Sequence, residues 1–334
     1  MKHIDRFAAA AIVAVGLAQL SSPDRRAYAA APTGHFKLFR VPTSASQPRD
    51  ITLGPDGNMW FTESDINVSQ IGRIDAAGTI TEFVVPTRFS QPSQIVAGPD
   101  GALWFTAPSG FPDMFIGRVT TGGVFSGFAP ACGANGCSIV PQDIASGPDG
   151  NLWFTESLNS QIGRLTTTGT FVFFPTPTPG ANPDGITNGP DGALWFTEHN
   201  ADQIGRIDVA GHITEFGGLS SDPDRITLGP DGNLWFTLPF VDRIGRITTA
   251  GVVTEFQVPV VSGLTGLSDI VAGPDGNLWF TEFNTETLSQ ITPAGVVFDV
   301  QKARGGPFGI GRGADGAIWI TLMSGNKLGR FSLR

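Results

Sequence analysis

Short stretches of alternating hydrophobic and polar residues recur along the chain, separated by turns rich in glycine. In the clearest copy, residues 225–229, 233–237, 243–247 and 252–256 alternate, and Pro230-Asp231-Gly232 separates the first two. Alternation with aromatic and β-branched residues predicts strands, and Pro-Asp-Gly predicts a turn whose glycine has a positive φ. No segment keeps an apolar period of 3.6 residues, so few helices are predicted.

This unit is repeated seven times, and each copy carries one tryptophan within a variant of Gly-Pro-Asp-Gly-x-Leu-Trp-Phe-Thr-Glu. A period of roughly 40 to 50 residues with four strands per unit is typical of a propeller blade. An open solenoid is the alternative, but it leaves both ends of the array uncapped. The seven tryptophans are Trp60, Trp104, Trp153, Trp195, Trp235, Trp279 and Trp319.

The two ends of the repeat array complement each other. The last unit stops at Arg334 one strand short, while residues 34–40 form a strand with no unit before them. Pairing these ends closes the ring and removes an exposed sheet edge. We therefore predict an all-β, seven-bladed β-propeller over residues 34–334, in which residues 34–40 complete the blade containing Trp319. We expect a monomer.

Residues 1–29 have the features of a signal peptide. Lys2 and Arg6 precede an apolar run over residues 7–20, and small residues lie at Ala27 and Ala29. The run is too short to span a bilayer comfortably, and a cleaved signal is the better interpretation. The sequence thus predicts a secreted or periplasmic protein without a membrane span.

The chain is acidic, with a net charge of −9 at pH 7. Loss of the basic leader would make it more negative still. Such a surface repels phosphate backbones, so nucleic acid is not expected as a partner.

Two cysteines, Cys132 and Cys137, lie in one loop. In an oxidising compartment we expect them to form a local disulfide that fastens this loop. Metal binding by the pair alone is the weaker alternative.

Residues that recur in every copy are interpreted as structural. The tryptophans are expected to pack between blades, the Pro-Asp-Gly aspartates to form turns, and the Gly-Arg pairs to bond between blades. Function is therefore expected where the copies differ, on one face of the ring. We call this the top face; it contains the residues just before each first strand and just after each Trp-Phe-Thr.

The top face collects carboxylates. Oxygen-rich clusters suit a hard cation such as Mg²⁺ or Ca²⁺, or a cationic ligand. The alternative is that they cap loops and pair with the neighbouring Arg49 and Arg225. The predicted ligand or metal-binding residues are Asp50, Glu63, Asp143, Glu156, Asp184, Asp224, Asp269 and Glu282.

His199 is the one histidine expected on this face. Because an imidazole can transfer protons near neutral pH, His199 and the adjacent Glu198 are the candidate catalytic pair. A solvated surface histidine is the alternative.

Across the chain, the Gly-Pro-Asp-Gly-x-Leu-Trp-Phe-Thr-Glu, Ile-Gly-Arg-Ile and Ile-Thr-Glu-Phe units closely resemble the virginiamycin B lyase family. The resemblance implies a seven-bladed propeller. It also implies a magnesium-dependent lyase that opens the lactone of a cyclic depsipeptide by elimination.

The family carries histidines before the first strands of its sixth and seventh blades, where this chain has Ser268 and Phe308. Its metal-holding glutamates correspond to Gly306 and to the loop 322–327, which has no carboxylate. Two functions therefore stay open. One is a propeller that binds a small molecule, peptide or protein on its acidic top face, and the other is a lyase with a relocated active site.

Overall fold

Each repeat begins with a hairpin whose turn the sequence dictates. In the third copy, Gly150 has a φ of 74°, and a Cβ on Gly147 would lie 2.3 Å from the Trp153 ring. Asp149 Oδ1 accepts hydrogen bonds from the indole Nε1 of Trp153 at 3.0 Å and from the Asn151 N–H at 3.2 Å. The two glycines and the aspartate therefore fix both the turn and the position of the indole.

A computed structural model describes residues 32–86, 91–108, 116–130, 139–259 and 263–334. These residues form seven four-stranded antiparallel sheets, and the predicted all-β, seven-bladed propeller is confirmed. The strands of blades 1 to 3 are β2 (Pro48–Leu53), β3 (Met59–Glu63), β4 (Gln70–Ile74), β5 (Ile80–Val84), β6 (Ile95–Ala97), β7 (Leu103–Thr106), β8 (Ile116–Val119), β9 (Phe125–Phe128), β10 (Pro141–Ser146), β11 (Leu152–Glu156), β12 (Gln161–Leu165) and β13 (Phe171–Pro175).

The remaining blades follow the same order. A 3₁₀ turn, His199–Ala201, is the only helical segment among the described residues. The strands of blades 4 to 7 are β14 (Pro183–Asn188), β15 (Leu194–Glu198), β16 (Gln203–Ile207), β17 (Ile213–Phe216), β18 (Ile226–Leu228), β19 (Leu234–Leu238), β20 (Arg243–Ile247), β21 (Val253–Gln257), β22 (Leu267–Ala272), β23 (Leu278–Glu282), β24 (Thr287–Ile291), β25 (Val297–Lys302), β26 (Pro307–Arg312), β27 (Ile318–Leu322) and β28 (Lys327–Leu333).

The predicted closure of the ring is confirmed. The N-terminal strand β1 (Gly34–Arg40) pairs antiparallel with β28, with Gly34 opposite Leu333 and Arg40 opposite Lys327. Blade 7 is therefore completed by the two ends of the propeller, and its β26 packs against β2 of blade 1.

The hydrophobic core lies between blades. Trp60 of blade 1 packs in one cluster with Leu103, Phe105 and Val119 of blade 2, and each of the other six junctions has an equivalent cluster. Six of the tryptophans are fully buried and Trp319 is 4% exposed. They therefore join neighbouring blades, as the repeat predicted.

The predicted signal peptide (residues 1–29) and the cysteines Cys132 and Cys137 lie outside the described residues. Within the described ranges, no helix is both long and apolar enough to cross a membrane.

Candidate functional site

The start of each first strand is held by the threonine of the neighbouring Trp-Phe-Thr segment. In blade 1, the Asp50 N–H donates to Thr62 Oγ1 at 3.0 Å, and this hydroxyl donates to the Ser93 carbonyl of blade 2 at 2.8 Å. The same bonds recur in blade 4, where Thr197 links Gly185 to the Asp224 carbonyl of blade 5. These threonines therefore fix the start of each first strand, and in six of the blades they also bond to the next blade.

Three of the predicted ligand-binding aspartates join one blade to the next. Asp50 accepts from the N–H groups of Ile51 and of Ile95 in blade 2, both at 2.7 Å. Asp143 and Asp269 make equivalent bonds to Ile186 and Ile310, each at 3.0 Å. Both oxygens of each carboxylate thus accept bonds from backbone N–H groups. This agrees with the alternative that these aspartates cap loops.

Arg225 lies among the aspartates at the axis. Its Nη1 is 3.2 Å from Asp184 Oδ1 and 3.8 Å from Asp143 Oδ2, and its Nε is 3.6 Å from Asp224 Oδ1. The Arg225 side chain is only 9% exposed. One guanidinium therefore contacts carboxylates from three successive blades, at the place where a cation was predicted.

Burial governs the protonation of this group. It raises the pKa of Asp143 to about 7 and that of Asp224 to about 6, while the charge of Arg225 lowers both in part. Burial likewise raises the pKa of Asp50 and Asp269. Burial alone lowers the pKa of Arg225, but the charges of Asp184, Asp224 and Asp143 outweigh it and raise the pKa. Arg225 is therefore always charged, whereas Asp143 and Asp224 change protonation near neutral pH.

The residues present do not fit a magnesium or calcium site of the kind predicted. Among the described residues, no group of three or more His, Cys, Asp or Glu side chains is arranged to hold a metal ion. At the axis, backbone N–H groups and Arg225 already engage the aspartate oxygens that a hard cation needs. We therefore assign no step to a metal.

The four predicted glutamates, all buried, fall into two kinds. Glu156 accepts bonds from the N–H groups of Val140, Leu158 and Asn159, at 2.9 to 3.0 Å. Glu282 accepts from the hydroxyls of Thr285 and Ser289. These two carboxylates organise the loops that follow their strands.

Glu63 and Glu198 instead lie near a second glutamate, from the Thr-Glu-Phe segment of the same blade. Burial, reinforced by the charge of Glu82, raises the pKa of Glu63 to about 8. Burial and the adjacent Glu215 likewise raise the pKa of Glu198 to about 8. Both side chains are therefore mostly neutral acids at pH 7.

The two residues of the predicted catalytic pair, Glu198 and His199, lie in different environments. Glu198 is buried against Glu215, whereas His199 is 25% exposed and its Nε2 is 3.8 Å from Asp222 Oδ2. The His199 ring packs on Phe240 with centroids 5.9 Å apart, and its buried Nδ1 has no hydrogen-bond partner in the described ranges. His199 thus lies beside the acidic residues of blades 4 and 5.

Sequence reasoning missed Asp202 and Asp222, the other acidic residues beside His199. Asp202 lies near Asp222, and this second carboxyl raises the pKa of Asp202. They come from different inter-strand loops that vary between copies, so no repeat signal marked them. Glu82 and Glu215 were visible as the glutamate of Thr-Glu-Phe, but their closeness to Glu63 and Glu198 was not.

The positions at which the family resemblance places histidines are apolar or already bonded. Ser268 is buried and its hydroxyl donates to the Gly266 carbonyl at 3.1 Å. The Phe308 ring packs edge-on against Phe283, with centroids 6.4 Å apart. Gly306 lies close to the same Phe283 ring. Among the described residues, these three positions therefore offer neither an imidazole nor a carboxylate.

Comparisons with known proteins agree with this architecture. The model of the virginiamycin B lyase family matches residues 24–136, 116–266 and 262–334. A solved streptogramin B lyase is 33% identical with a TM-score of 0.81, over 92% of this chain and 100% of that one. Virginiamycin B lyase from Staphylococcus aureus is 32% identical with a TM-score of 0.81, over 90% of this chain and 100% of that one.

Two further structures bear on the fold. A catalytically inactive variant of the Staphylococcus aureus virginiamycin B lyase, solved with quinupristin, is 34% identical with a TM-score of 0.79, over 90% of this chain and 100% of that one. The extracellular domain of a hybrid two-component system from B. thetaiotaomicron is 14% identical with a TM-score of 0.68, over 89% of this chain and 42% of that one, and it shares the fold alone. The search of curated proteins finds no match.

Proposed function

We propose a ligand-binding function for this chain, which belongs to the virginiamycin B lyase family. The proposed site is the acidic sector of the top face, formed by Asp184, Asp222 and Asp224 beside His199. Its ligand is a small molecule, peptide or protein segment that carries a cationic group. The protein would act outside the cytoplasm, as its leader sequence predicts.

The observation that supports this proposal is the exposure of these carboxylates. The side chains of Asp184, Asp224 and Asp222 are 23%, 25% and 40% exposed, and Arg225 is the one arginine in ion-pair contact with any of them in the described ranges. A surplus of partly exposed negative charge held on neighbouring blades attracts cations and orients them.

The family's elimination reaction is not expected at its usual place in the fold. A general base must lie within reach of the proton it removes, and Ser268, Phe308 and Gly306 supply none. Fold similarity by itself does not carry the activity across.

A relocated lyase is the second candidate function, and His199 is the observation that favours it. Its Nε2 lies 3.8 Å from Asp222 Oδ2, an arrangement similar to that of a catalytic imidazole beside a carboxylate. Glu198 would act only as a neutral acid at pH 7, because its pKa is raised to about 8. In this reading, Asp50, Glu63, Asp143, Glu156, Asp184, Asp224, Asp269 and Glu282 would only shape the site.

Binding is tested by titrating the mature protein with trilysine, and with trialanine as an uncharged control, in a calorimeter at low salt. We expect trilysine to bind and the double variant Asp184→Asn/Asp222→Asn to bind it about two- to fivefold more weakly per lost carboxylate. Asp208→Asn, which removes an exposed carboxylate next to His212 on the opposite face, should leave the affinity unchanged. Absence of trilysine binding, or equal weakening by Asp208→Asn, would contradict the proposal.

The lyase alternative is tested separately by mass spectrometry of quinupristin incubated with the protein and Mg²⁺. The binding proposal predicts no opened product. Product formation that is lost in His199→Ala would establish the alternative. An unfolding temperature that rises with Mg²⁺ or Ca²⁺, and returns to its original value with a chelator, would support the predicted metal site. No change with either ion would reject it.

A further inference from the structure

A cavity of about 260 Å³ opens on the top face, away from the acidic sector, between residues of blades 1, 2, 3 and 7. This is room for roughly eight waters at about 30 Å³ each, the small end of cavities that bind ligands. Among the described residues that line it, Arg49 is the one charged side chain and none is a carboxylate. Its lining residues are Gln47, Arg49, Ser64, Gln91, Ser93, Pro108, Gln142 and Met323.

Arg49 is held in place, but its guanidinium donates no hydrogen bond and forms no ion pair within the described residues. Its carbonyl accepts a bond from Thr321 Oγ1 at 2.8 Å, and its guanidinium lies over the Phe308 ring, 5.0 Å from the centroid. Its Nε is buried without a hydrogen-bond partner, and no carboxylate of the described residues forms an ion pair with it. A buried donor without a partner is costly, so an acceptor supplied by a ligand would stabilise Arg49.

Arg49 and Arg225 lie on the same face but differ in their contacts with carboxylates. Arg225 contacts three aspartates, whereas Asp184, Asp224 and Asp50 act on Arg49 only at longer range. Burial and the charge of Arg225 lower the pKa of Arg49. An anion in the cavity would relieve both effects.

The chemistry of the cavity selects among anions. A planar guanidinium pairs with a carboxylate through two parallel hydrogen bonds. A phosphate dianion would call for more than the single positive charge that the described lining supplies. The geometry therefore favours a monoanionic carboxylate.

The other lining side chains indicate what is attached to this carboxylate. Gln142 Nε2 donates to Ser157 Oγ at 3.0 Å and Gln47 Nε2 donates to Asp65 Oδ2 at 3.1 Å. With their amino groups engaged, both amides retain carbonyl oxygens that can accept from an N–H. Pro108 and Met323 add apolar surface.

We propose that this cavity binds a small N-acylated amino acid or the carboxyl end of a peptide, with Arg49 bound to the carboxylate. One of the glutamine carbonyls accepts from the ligand amide N–H, and Met323 contacts the ligand side chain. The cavity is lined by none of the residues of the acidic sector, so this proposal can be tested independently of the function proposed above.

The test compares N-acetyl-leucine with N-acetyl-leucinamide, in which an uncharged amide of similar size replaces the carboxylate. We expect saturable calorimetric binding of the acid, and affinity at least about tenfold lower for the amide. Arg49→Gln should abolish this preference, and Arg49→Lys should retain part of it because the charge remains without the planar pair of donors. Arg312→Gln, which removes an exposed arginine at the far end of a first strand, is the matched control and should bind as the parent protein does.

Thermal unfolding of each variant shows whether it is folded before it is titrated. A parent protein that binds neither compound, or binds the amide as well as the acid, would overturn the proposal. So would unchanged binding in Arg49→Gln, or inorganic phosphate competing at lower concentration than N-acetyl-leucine. An unfolded Arg49→Gln variant would leave the acid–amide comparison and Arg49→Lys to decide the outcome.

Discussion

The two faces of the ring use charged residues in opposite ways. On the bottom face, which contains the Pro-Asp-Gly turns, six of the seven blades show the same bond from the tryptophan Nε1 to the turn aspartate, at 2.9 to 3.1 Å. On the top face, equivalent positions hold different residues, such as Glu63 in blade 1 and Leu238 in blade 5. Repetition therefore marks the residues that pack the blades, and variation marks the residues of the proposed binding sites.

The largest effect should come from a repeated residue. Trp195→Ala removes a fully buried indole between blades 4 and 5 and should lower the free energy of unfolding by about 3 to 5 kcal/mol. Asp222→Asn on the top face should change it by less than about 0.5 kcal/mol. Urea unfolding followed by tryptophan fluorescence measures both, and similar losses in the two variants would remove the distinction between the faces.

Arg225 is the exception on the top face, because it is needed for stability there. Arg225→Met leaves Asp143, Asp184 and Asp224 without their cation and should cost about 3 to 5 kcal/mol at pH 8. The pKa values of Asp143 and Asp224, already raised to about 7 and about 6, should rise further in the variant. The folded variant then takes up more protons than the folded parent as the pH falls, so its deficit should shrink between pH 8 and pH 5.

Urea unfolding of both proteins at the two pH values checks this expectation. A deficit that is the same at pH 5 and pH 8 would show that Arg225 acts through packing and not as a counter-ion.

Glu63 and Glu156 occupy the same place in two copies of the repeat and should respond with opposite signs. The pKa of Glu63 is raised to about 8, so the folded state retains its proton above the ordinary pKa of glutamate and loses stability as the pH rises towards 8. Glu63→Gln should therefore stabilise the protein at pH 9, on the order of 1 to 3 kcal/mol. Glu156→Gln should destabilise it by about 1 to 3 kcal/mol, because three backbone N–H groups lose part of their acceptor.

Thermal unfolding at pH 4, 7 and 9 separates the two variants. The gain in Glu63→Gln should vanish near pH 4, where the parent glutamate is protonated in both states. A gain that persists at pH 4 would mean that charge is not its cause.

The sequence was sufficient for the fold because the fold depends on repeated local signals. The Pro-Asp-Gly turns, the tryptophan period and the unpaired strand at residues 34–40 each constrain the chain over a few residues or by simple counting. The closure of blade 7 by β1 followed from those signals alone.

The site was only partly predictable, because its properties depend on distances between blades. The sequence placed Asp143, Asp184 and Arg225 on one face, but not that Arg225 would lie where a metal was expected. It gave Glu63 and Glu156 the same predicted role, although one lies beside Glu82 and the other accepts backbone bonds. The Arg49 cavity could not be seen at all, since it is assembled from loops of several blades.

The smallest expected effect separates two roles of one residue on the bottom face. Asp191 accepts from the Trp195 indole at 3.1 Å and pairs with Arg206 at 2.6 Å, where both charged side chains are about a quarter exposed. Arg206→Gln should therefore cost less than about 1 kcal/mol, and high salt should reduce this cost because partly exposed pairs are screened. Asp191→Ala should cost more, and largely independently of salt, because it also leaves the buried indole N–H without its acceptor. Urea unfolding in low and high NaCl tests this difference. Equal losses of unfolding free energy in the two variants would mean that the ion pair, and not the indole bond, accounts for the repeated aspartate.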